Sequence, residues 1–143
     1  MTDITITGTL GDNYGLFDFI SAANAAGPGA AVRLECPGGD CSTGLAIADE
    51  VADRELTVHG TAVGSAAVAI LAAGRYRTLT SDGHIFLHPS SVITCGHSES
   101  LAAIAETMHG WDVEYSQMVA KRSRLQPDDV LQMMRDETTL TPD

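Results

Sequence analysis

Apolar residues follow two different periods along the first half of the chain. Alternation of apolar and polar residues, as in Ile4-Thr5-Ile6-Thr7, is typical of a strand with one buried face. Apolar residues near every third or fourth position, as over residues 16–26 and 45–52, are typical of a helix. The predicted strands cover residues 4–7, 31–36, 56–58, 75–79 and 84–88. This alternation of strands and helices predicts an α/β fold with a mostly parallel sheet.

One long helix dominates the second half of the chain. Its apolar residues recur at spacings of 3 and 4, which is the stripe of a single amphipathic helix. The helix is predicted to start at Ser98 or Ser100, and Pro127 suits the first turn of a further helix. We expect the long helix to pack outside the α/β unit or to project towards another subunit. The stripe consists of Leu101, Ile104, Met108, Trp111, Tyr115 and Met118.

Residues 58–74 lead from a predicted strand into a helix of small apolar residues. The apolar run is too short to span a bilayer and fits a buried helix. Ser65 lies at the junction between this strand and this helix, and two interpretations of it are possible. It is either an N-cap, whose side chain accepts a backbone hydrogen bond, or a nucleophile beside unpaired N–H groups that stabilise negative charge.

Three candidate segments follow predicted strands. Pro37-Gly38-Gly39 comes after the second strand, Ser65 after the third, and His88 closes the strand over 84–88. Functional groups collect at the carboxyl ends of parallel strands, so we expect these segments to share one edge of the sheet.

The residue types in these segments are those of nucleophilic catalysis. A serine hydroxyl is a poor nucleophile until a base takes its proton, and His88 is the candidate base. His84 is an alternative, because it lies on the same face of the predicted strand. A glycine pair lets the backbone approach a substrate closely, so the N–H groups of Gly38 and Ala66 are predicted oxyanion donors.

The composition of the chain indicates a globular protein and argues against nucleic-acid and membrane binding. The chain has 143 residues, of which 44% are hydrophobic and 19% charged, as expected of one globular domain. Its net charge is −11 and its one basic cluster, residues 121–124, falls at a predicted helix end, which argues against nucleic-acid binding. No apolar run of membrane-spanning length and no signal pattern occurs, so we expect a cytoplasmic protein that does not bind membranes.

The three cysteines are read as free thiols. Their number is odd, and a cytoplasmic protein seldom forms disulfides. Cys36 and Cys41 precede several histidines, but the spacing matches no common pattern of zinc ligands. No metal site is therefore predicted.

These segments resemble the proteolytic subunit family of the Clp protease, above all its short phage and prophage members. Cys36-Pro37-Gly38-Gly39-Asp40 resembles the Ser-Pro-Gly-Gly segment of the family, and Ser65 to Gly74 resembles its nucleophile helix. Phe86-Leu87-His88-Pro89 resembles its catalytic histidine strand, and residues 101–124 resemble the long handle helix through which members oligomerise. The resemblance implies the ClpP/crotonase fold of repeated β-β-α and βαβ units, with a mostly parallel sheet and an outer handle helix.

The resemblance also implies a serine peptidase that cleaves peptides or proteins without a cofactor. Ser65 would be the nucleophile that forms the acyl-enzyme and His88 the general base, while Gly38 and Ala66 would bind the oxyanion. The family carries its triad acid shortly before a segment that resembles Thr139-Leu140-Thr141 here. Counting back from Leu140 favours Glu137 as that acid, with the adjacent Asp136 as the alternative.

The resemblance spans one domain, residues 1–143, and leaves alternatives open. The resemblance and the apolar long helix imply a homo-oligomer. The family's N-terminal axial segment and C-terminal helix have no counterpart in this sequence, and without the axial segment a Clp-type ATPase partner is in doubt. A crotonase-type enzyme acting on acyl-CoA would share the fold and a backbone oxyanion hole, without needing Ser65 or His88. A non-catalytic ClpP-like assembly subunit would need neither residue.

Overall fold

A five-stranded sheet carries the fold, and its strands follow one another in chain order. The computed structural model describes residues 2–142. The strands are β1 (Ile4–Thr7), β2 (Ala31–Cys36), β3 (Thr57–Gly64), β4 (Tyr76–Phe86) and β5 (Thr139–Leu140). Strands β1 to β4 are parallel, and β5 pairs antiparallel with β4. The predicted α/β fold with a mostly parallel sheet is confirmed.

The helices cover the sheet and contribute to one hydrophobic core. They are α1 (Leu16–Ala26), α2 (Cys41–Asp53), α3 (Ala67–Ala73), α4 (Ser98–Lys121) and α5 (Pro127–Arg135). Every residue of α3 is buried, which explains why its sequence contains only small and apolar residues. The largest fully buried side chains of the core include those of Phe19, Ile6, Leu34, Ile47, Ile70 and Val58.

The two strands predicted over 75–79 and 84–88 form a single strand in the structure. Between them the register jumps, since Gly60 pairs with Leu79 whereas Ala62 pairs with His84. The intervening residues therefore bulge out of the ladder instead of reversing the chain. These residues are of types common in turns, and for that reason the sequence predicted two separate strands here. Strand β4 ends at Phe86, so His88 lies beyond the strand and not within it.

The long helix α4 is buried only towards its carboxyl end. It begins at Ser98, one of the two predicted starts. Tyr115 is 3% exposed, whereas Leu101 near the amino end is 39% exposed. The apolar stripe therefore packs on the α/β unit over its second half and leaves the first half of the helix largely exposed.

Two helical glycines give a test of how tightly α2 packs against the turn before α3. A Cβ on Gly44 would lie 2.8 Å from the carbonyl oxygen of Ala66, whereas a Cβ on Gly110 of α4 would meet nothing within 4 Å. We expect Gly44→Ala to lower the free energy of unfolding by about 1–2 kcal/mol, because overpacking exceeds the gain in helix propensity. Gly110→Ala should raise it by about 0.5–1 kcal/mol.

Urea unfolding at matched protein concentration measures both values. Equal stabilisation by the two substitutions would show that the contact between Gly44 and Ala66 is not a tight one.

Candidate active site

Ser65 occupies a sharp turn between β3 and α3. Its φ of +52° lies in the left-handed region, which a side chain other than glycine adopts only at some cost. The backbone on both sides is held, since the Ser65 N–H donates to the Phe86 carbonyl at 2.8 Å and the Ser65 carbonyl accepts from the Val68 N–H at 3.0 Å. A strained strand-to-helix turn of this kind presents its side chain at the end of the sheet.

Ser65 is not the N-cap of the helix that follows. The capping position is Ala66, which has no side-chain hydrogen bond to offer. Within residues 2–142 the Ser65 hydroxyl makes no hydrogen bond to protein. Of the two interpretations of this serine, capping is wrong, and the hydroxyl is left available for chemistry.

The glycine turn after β2 packs directly against the Ser65 turn. Gly38 has a φ of +109°, and a Cβ there would lie 2.6 Å from the Ser65 Cβ and 3.2 Å from the Ala66 nitrogen. A Cβ on Gly64 would lie 2.8 Å from the Pro37 carbonyl oxygen. The two turns approach so closely that only glycine fits at these positions. The backbone of Gly38 is thus brought beside the backbone N–H of Ala66.

The two predicted oxyanion donors differ in how they are engaged. In the described part of the chain the Ala66 N–H has no hydrogen-bond partner. The Gly38 N–H donates to the Cys36 sulfur at 3.4 Å, and the Cys36 thiol donates in turn to the Gly8 carbonyl at 3.0 Å. Burial raises the pKa of the Cys36 thiol and keeps it protonated. Ala66 is a free donor, whereas Gly38 is held by a buried thiol.

Ser65 and His88 line the same cavity, which has a volume of about 960 Å³. The Nδ1 atom of His88 lies 2.7 Å from the Pro89 carbonyl oxygen, and its ring lies 5.4 Å from that of Phe86. A carbonyl oxygen only accepts hydrogen bonds, so Nδ1 carries a proton, and in the neutral ring Nε2 then keeps the free lone pair. This is the tautomer that a general base needs. Among the described residues, no hydrogen bond joins Ser65 to His88.

His84 lies in different surroundings. It lines a second cavity together with Pro37, Gly64 and Phe86, and it does not line the cavity that holds Ser65. The expectation that His84 and His88 share one strand face does not apply, because the strand ends between them at Phe86. The structure brings His88, and not His84, into the cavity of the serine.

The chain around Glu137 runs beside the segment that carries His88. Strand β5 pairs Phe86 with Thr139, and the Leu87 N–H donates to the Thr138 carbonyl at 2.9 Å. Continued beyond Leu87, the same antiparallel register would place His88 opposite Glu137. Glu137 is exposed, its φ is +50°, and it does not line the cavity in this structure.

The Asp136 side chain contacts α5, the helix that Asp136 caps. It is the C-cap residue of α5, and its Oδ1 accepts a hydrogen bond from the Gln132 side chain at 3.0 Å. Asp136 is exposed and does not line the cavity. Asp136 is therefore bound to α5. The side chain of Glu137 makes no hydrogen bond to protein among residues 2–142.

Sequence reasoning missed a group of polar residues that line the cavity. Asp112 of α4 accepts hydrogen bonds at Oδ1 from the Ser90 N–H, at 2.9 Å, and from the Ser90 hydroxyl. This contact fastens the segment just after His88 to the long helix. Asp112 directly follows Trp111 of the apolar stripe, and a carboxylate bordering such a stripe is the one signal in the sequence that points to it.

The start of α2 contributes a carboxylate and a thiol to the same cavity. Burial alone would raise the pKa of Asp40, but hydrogen bonds from Ser42 and Thr43 outweigh it and hold this pKa below its ordinary value. Burial and the charges of Asp112, Asp40 and Glu114 raise the pKa of Cys41 to about 11. At neutral pH Asp40 is thus ionised and Cys41 is a neutral thiol.

Within residues 2–142, no group of three or more His, Cys, Asp or Glu side chains is arranged to hold a metal ion. None of the helices in that part of the chain is long and apolar enough to cross a membrane.

Comparison with known proteins identifies one family. Residues 19–143 match the family model described as Clp protease. The matched range contains Ser65, His88 and both candidate acids, and it confirms the resemblance seen in the sequence. No curated protein matches the chain.

Proposed function

The chain belongs to the Clp protease family, and we propose that it is a serine peptidase that hydrolyses peptide bonds through an acyl-enzyme on Ser65. One observation carries the proposal. Ser65 and His88 line one cavity, in which a strained turn presents the hydroxyl and a carbonyl selects the tautomer of the base. Family membership alone supports the coarser statement that the chain is a peptidase.

In the proposed acylation, the Ser65 Oγ attacks the carbonyl carbon of the scissile bond while His88 Nε2 takes the hydroxyl proton. The carbonyl oxygen becomes an oxyanion and accepts a hydrogen bond from the Ala66 N–H, joined by that of Gly38. The tetrahedral intermediate then loses its amine. The C–N bond breaks, and the proton on Nε2 passes to the leaving nitrogen.

Deacylation repeats these steps with water. His88 Nε2 takes a proton from a water molecule, and the resulting hydroxide attacks the acyl carbon of the ester on Ser65. When the intermediate collapses, the C–Oγ bond breaks and the proton on Nε2 returns to Ser65. The acid product leaves, and the enzyme regains its starting protonation state.

Two N–H donors must change their hydrogen-bond acceptors before these catalytic steps can occur. The Gly38 N–H has to turn from the Cys36 sulfur towards the oxyanion, and His88 Nδ1 has to leave the Pro89 carbonyl for a carboxylate. We propose Glu137 as that carboxylate, because the register of β5 against β4 leads to it and because Asp136 is engaged by Gln132.

A non-catalytic assembly subunit remains the second candidate. The observation in its favour is that Ser65 and His88 share no hydrogen bond within residues 2–142, and that neither candidate acid lines their cavity. Active-site hydrogen bonds often tighten only when substrate binds, so this observation counts less than the shared cavity.

The first prediction concerns the nucleophile. Wild-type protein should react covalently with a fluorophosphonate probe, and Ser65→Ala should lose both labelling and peptidase activity, the latter by a factor of about 10⁴ or more. Ser81→Ala, which removes a serine on the exposed part of β4, serves as the matched control and should keep both. Intact-protein mass spectrometry measures the adduct.

Labelling that persists in Ser65→Ala would overturn the assignment of the nucleophile. A wild-type protein that folds but neither reacts nor cleaves any peptide would favour the assembly subunit instead.

The second prediction separates the two candidate acids. Glu137→Gln should lower kcat by a factor of about 10² to 10⁴, because the imidazolium formed in the transition state loses its partner. Asp136→Asn should change kcat less than about tenfold, since Asn still accepts the hydrogen bond from Gln132. Steady-state hydrolysis of one fluorogenic peptide by both variants makes the comparison, and the opposite order would identify Asp136 as the acid.

We also propose that a second copy of the chain covers the exposed first half of α4 and the segment before it. Leu101 is 39%, Val92 55% and Ile93 104% exposed, and apolar side chains this exposed and this close in sequence are typical of an interface. Their neighbours on the stripe, nearer the carboxyl end of α4, are already packed against this protomer.

Light scattering after size exclusion tests this interface. Wild type should have a mass that is a multiple of 15.0 kDa, and the double variant Ile93→Asp, Leu101→Asp should have a smaller one. Tyr76→Asp removes an apolar side chain that is 65% exposed at the other end of β4 and should leave the mass unchanged. A monomeric wild type, or a double variant of unchanged mass, would contradict the proposed interface.

A further inference from the structure

The peptide group between Pro89 and Ser90 makes a hydrogen bond at each of its two ends. Its carbonyl oxygen, which belongs to Pro89, lies 2.7 Å from His88 Nδ1 and accepts the proton of that atom. Its N–H, which belongs to Ser90, donates to Asp112 Oδ1 at 2.9 Å. A carboxylate of α4 is thus connected to the ring of the candidate base through a single peptide group.

This connection is rigid. A peptide group is planar, and in its trans form the C=O and the N–H point in opposite directions, so a contact that fixes the N–H also fixes the direction of the carbonyl. The Ser90 hydroxyl donates to the same Oδ1 atom as the Ser90 N–H, so Asp112 holds Ser90 by two hydrogen bonds. Asp112 therefore determines the direction of the Pro89 carbonyl, and this carbonyl places a proton on His88 Nδ1.

The chain beyond His88 is anchored mainly by Asp112. On the amino side of His88, the Leu87 N–H donates to the Thr138 carbonyl at 2.9 Å. On the carboxyl side, residues 91–97 have no regular secondary structure. Among residues 2–142 this segment takes part in one hydrogen bond, at the start of α4 itself. Without the contact between Asp112 and Ser90, the Pro89 carbonyl would be free to turn.

Asp112 reaches the ring only through this peptide group. In the part of the chain that the structure describes, no hydrogen bond joins the Asp112 carboxylate to His88. Asp112 does not activate the neighbouring Cys41 thiol either, because burial and nearby carboxylates raise the pKa of this thiol to about 11. These contacts are those of a positioning residue.

We propose that Asp112 is a positioning residue that sets the tautomer of His88, through the Pro89–Ser90 peptide group, before substrate binds. The proposal rests on the proposed function, since it takes His88 as the base. In the neutral ring only the Nδ1–H tautomer leaves Nε2 able to take the Ser65 proton. A carboxylate that accepts from the peptide N–H also polarises the peptide group, which makes its carbonyl a stronger acceptor for Nδ1.

Nitrogen NMR of the histidine rings measures the tautomer directly. In wild-type protein with 15N-labelled histidine, at a pH where the ring is neutral, His88 should be almost entirely the Nδ1–H tautomer. Asp112→Ala should raise the share of the Nε2–H tautomer at least about fivefold, since the carbonyl is no longer held towards Nδ1. His88→Gln identifies the signals of this ring among those of the five histidines.

Two matched variants separate the contact from the charge. Asp112→Asn removes the charge but keeps an oxygen that accepts from Ser90, so it should retain the wild-type tautomer. Glu114→Ala removes an exposed carboxylate that lies on the same helix and does not line the cavity. It should leave the tautomer of His88 unchanged.

Steady-state hydrolysis of a fluorogenic peptide should follow the tautomer. Asp112→Ala should lower kcat about tenfold or more and change KM less than about threefold, because the position of the base matters for the chemical step more than for binding. Asp112→Asn and Glu114→Ala should stay within about threefold of wild-type kcat. The double variant Ser90→Ala, Asp112→Ala should lose no more activity than Asp112→Ala alone, since both substitutions remove the same contact.

A His88 tautomer that does not change in Asp112→Ala would overturn the proposal. An equal loss of kcat in Asp112→Asn and Asp112→Ala would also overturn it, because the charge of the carboxylate and not its contact with Ser90 would then be what matters. Control of the tautomer by Asp112 in a protein that hydrolyses nothing would support the positioning role and count against the peptidase. Hydrolysis with a tautomer that is independent of Asp112 would support the peptidase and overturn the positioning role.

Discussion

The close approach of two backbone turns is the constraint on which the site depends. Parallel strands deliver the turn after β2 and the turn after β3 to the same edge of the sheet, but side chains would keep them apart. Gly38 removes that obstacle, because a Cβ at its position would lie 2.6 Å from the Cβ of Ser65. Gly44 of α2 does the same behind the site, where a Cβ would lie 2.8 Å from the Ala66 carbonyl oxygen. Ser65 and the Ala66 N–H are therefore positioned by packing between backbones.

This constraint explains why part of the site could be predicted from sequence. The positions of Ser65 and of the glycine turn follow from strand ends, and strand ends follow from apolar periods that burial imposes on the chain. Other features of the fold depend on interactions that the spacing of apolar residues does not predict. The Ser81-Asp82-Gly83 segment has the composition of a chain reversal, yet it forms a bulge in β4, because the flanking residues pair with the same neighbouring strand.

Two residues of α4 show that sequence periodicity also fails to predict the contacts of polar groups. Tyr115 falls on an apolar stripe, and the spacing alone cannot show that its buried hydroxyl has no partner among the described residues or that the residue lines the cavity of Ser65. Asp112 lies beside that stripe, and its importance comes from a contact with Ser90, a residue of a distant segment. Helical periodicity predicts which face is buried, whereas the tertiary fold decides what that face meets.

The hydrogen bond from His88 to the Pro89 carbonyl bears on how far the site is from a catalytic arrangement. A carbonyl oxygen and a carboxylate are both acceptors, so the same Nδ1 proton serves either partner. In the proposed exchange from Pro89 to Glu137 no proton therefore moves between the ring nitrogens, and Nε2 keeps the role that the proposal gives it. The hydrogen bond from the Leu87 N–H to the Thr138 carbonyl holds the residue before His88 beside the residue after Glu137. The proposed triad differs from the observed arrangement in the partners of the His88 Nδ1 and of the Gly38 N–H, and in the position of Glu137, which does not line the cavity here.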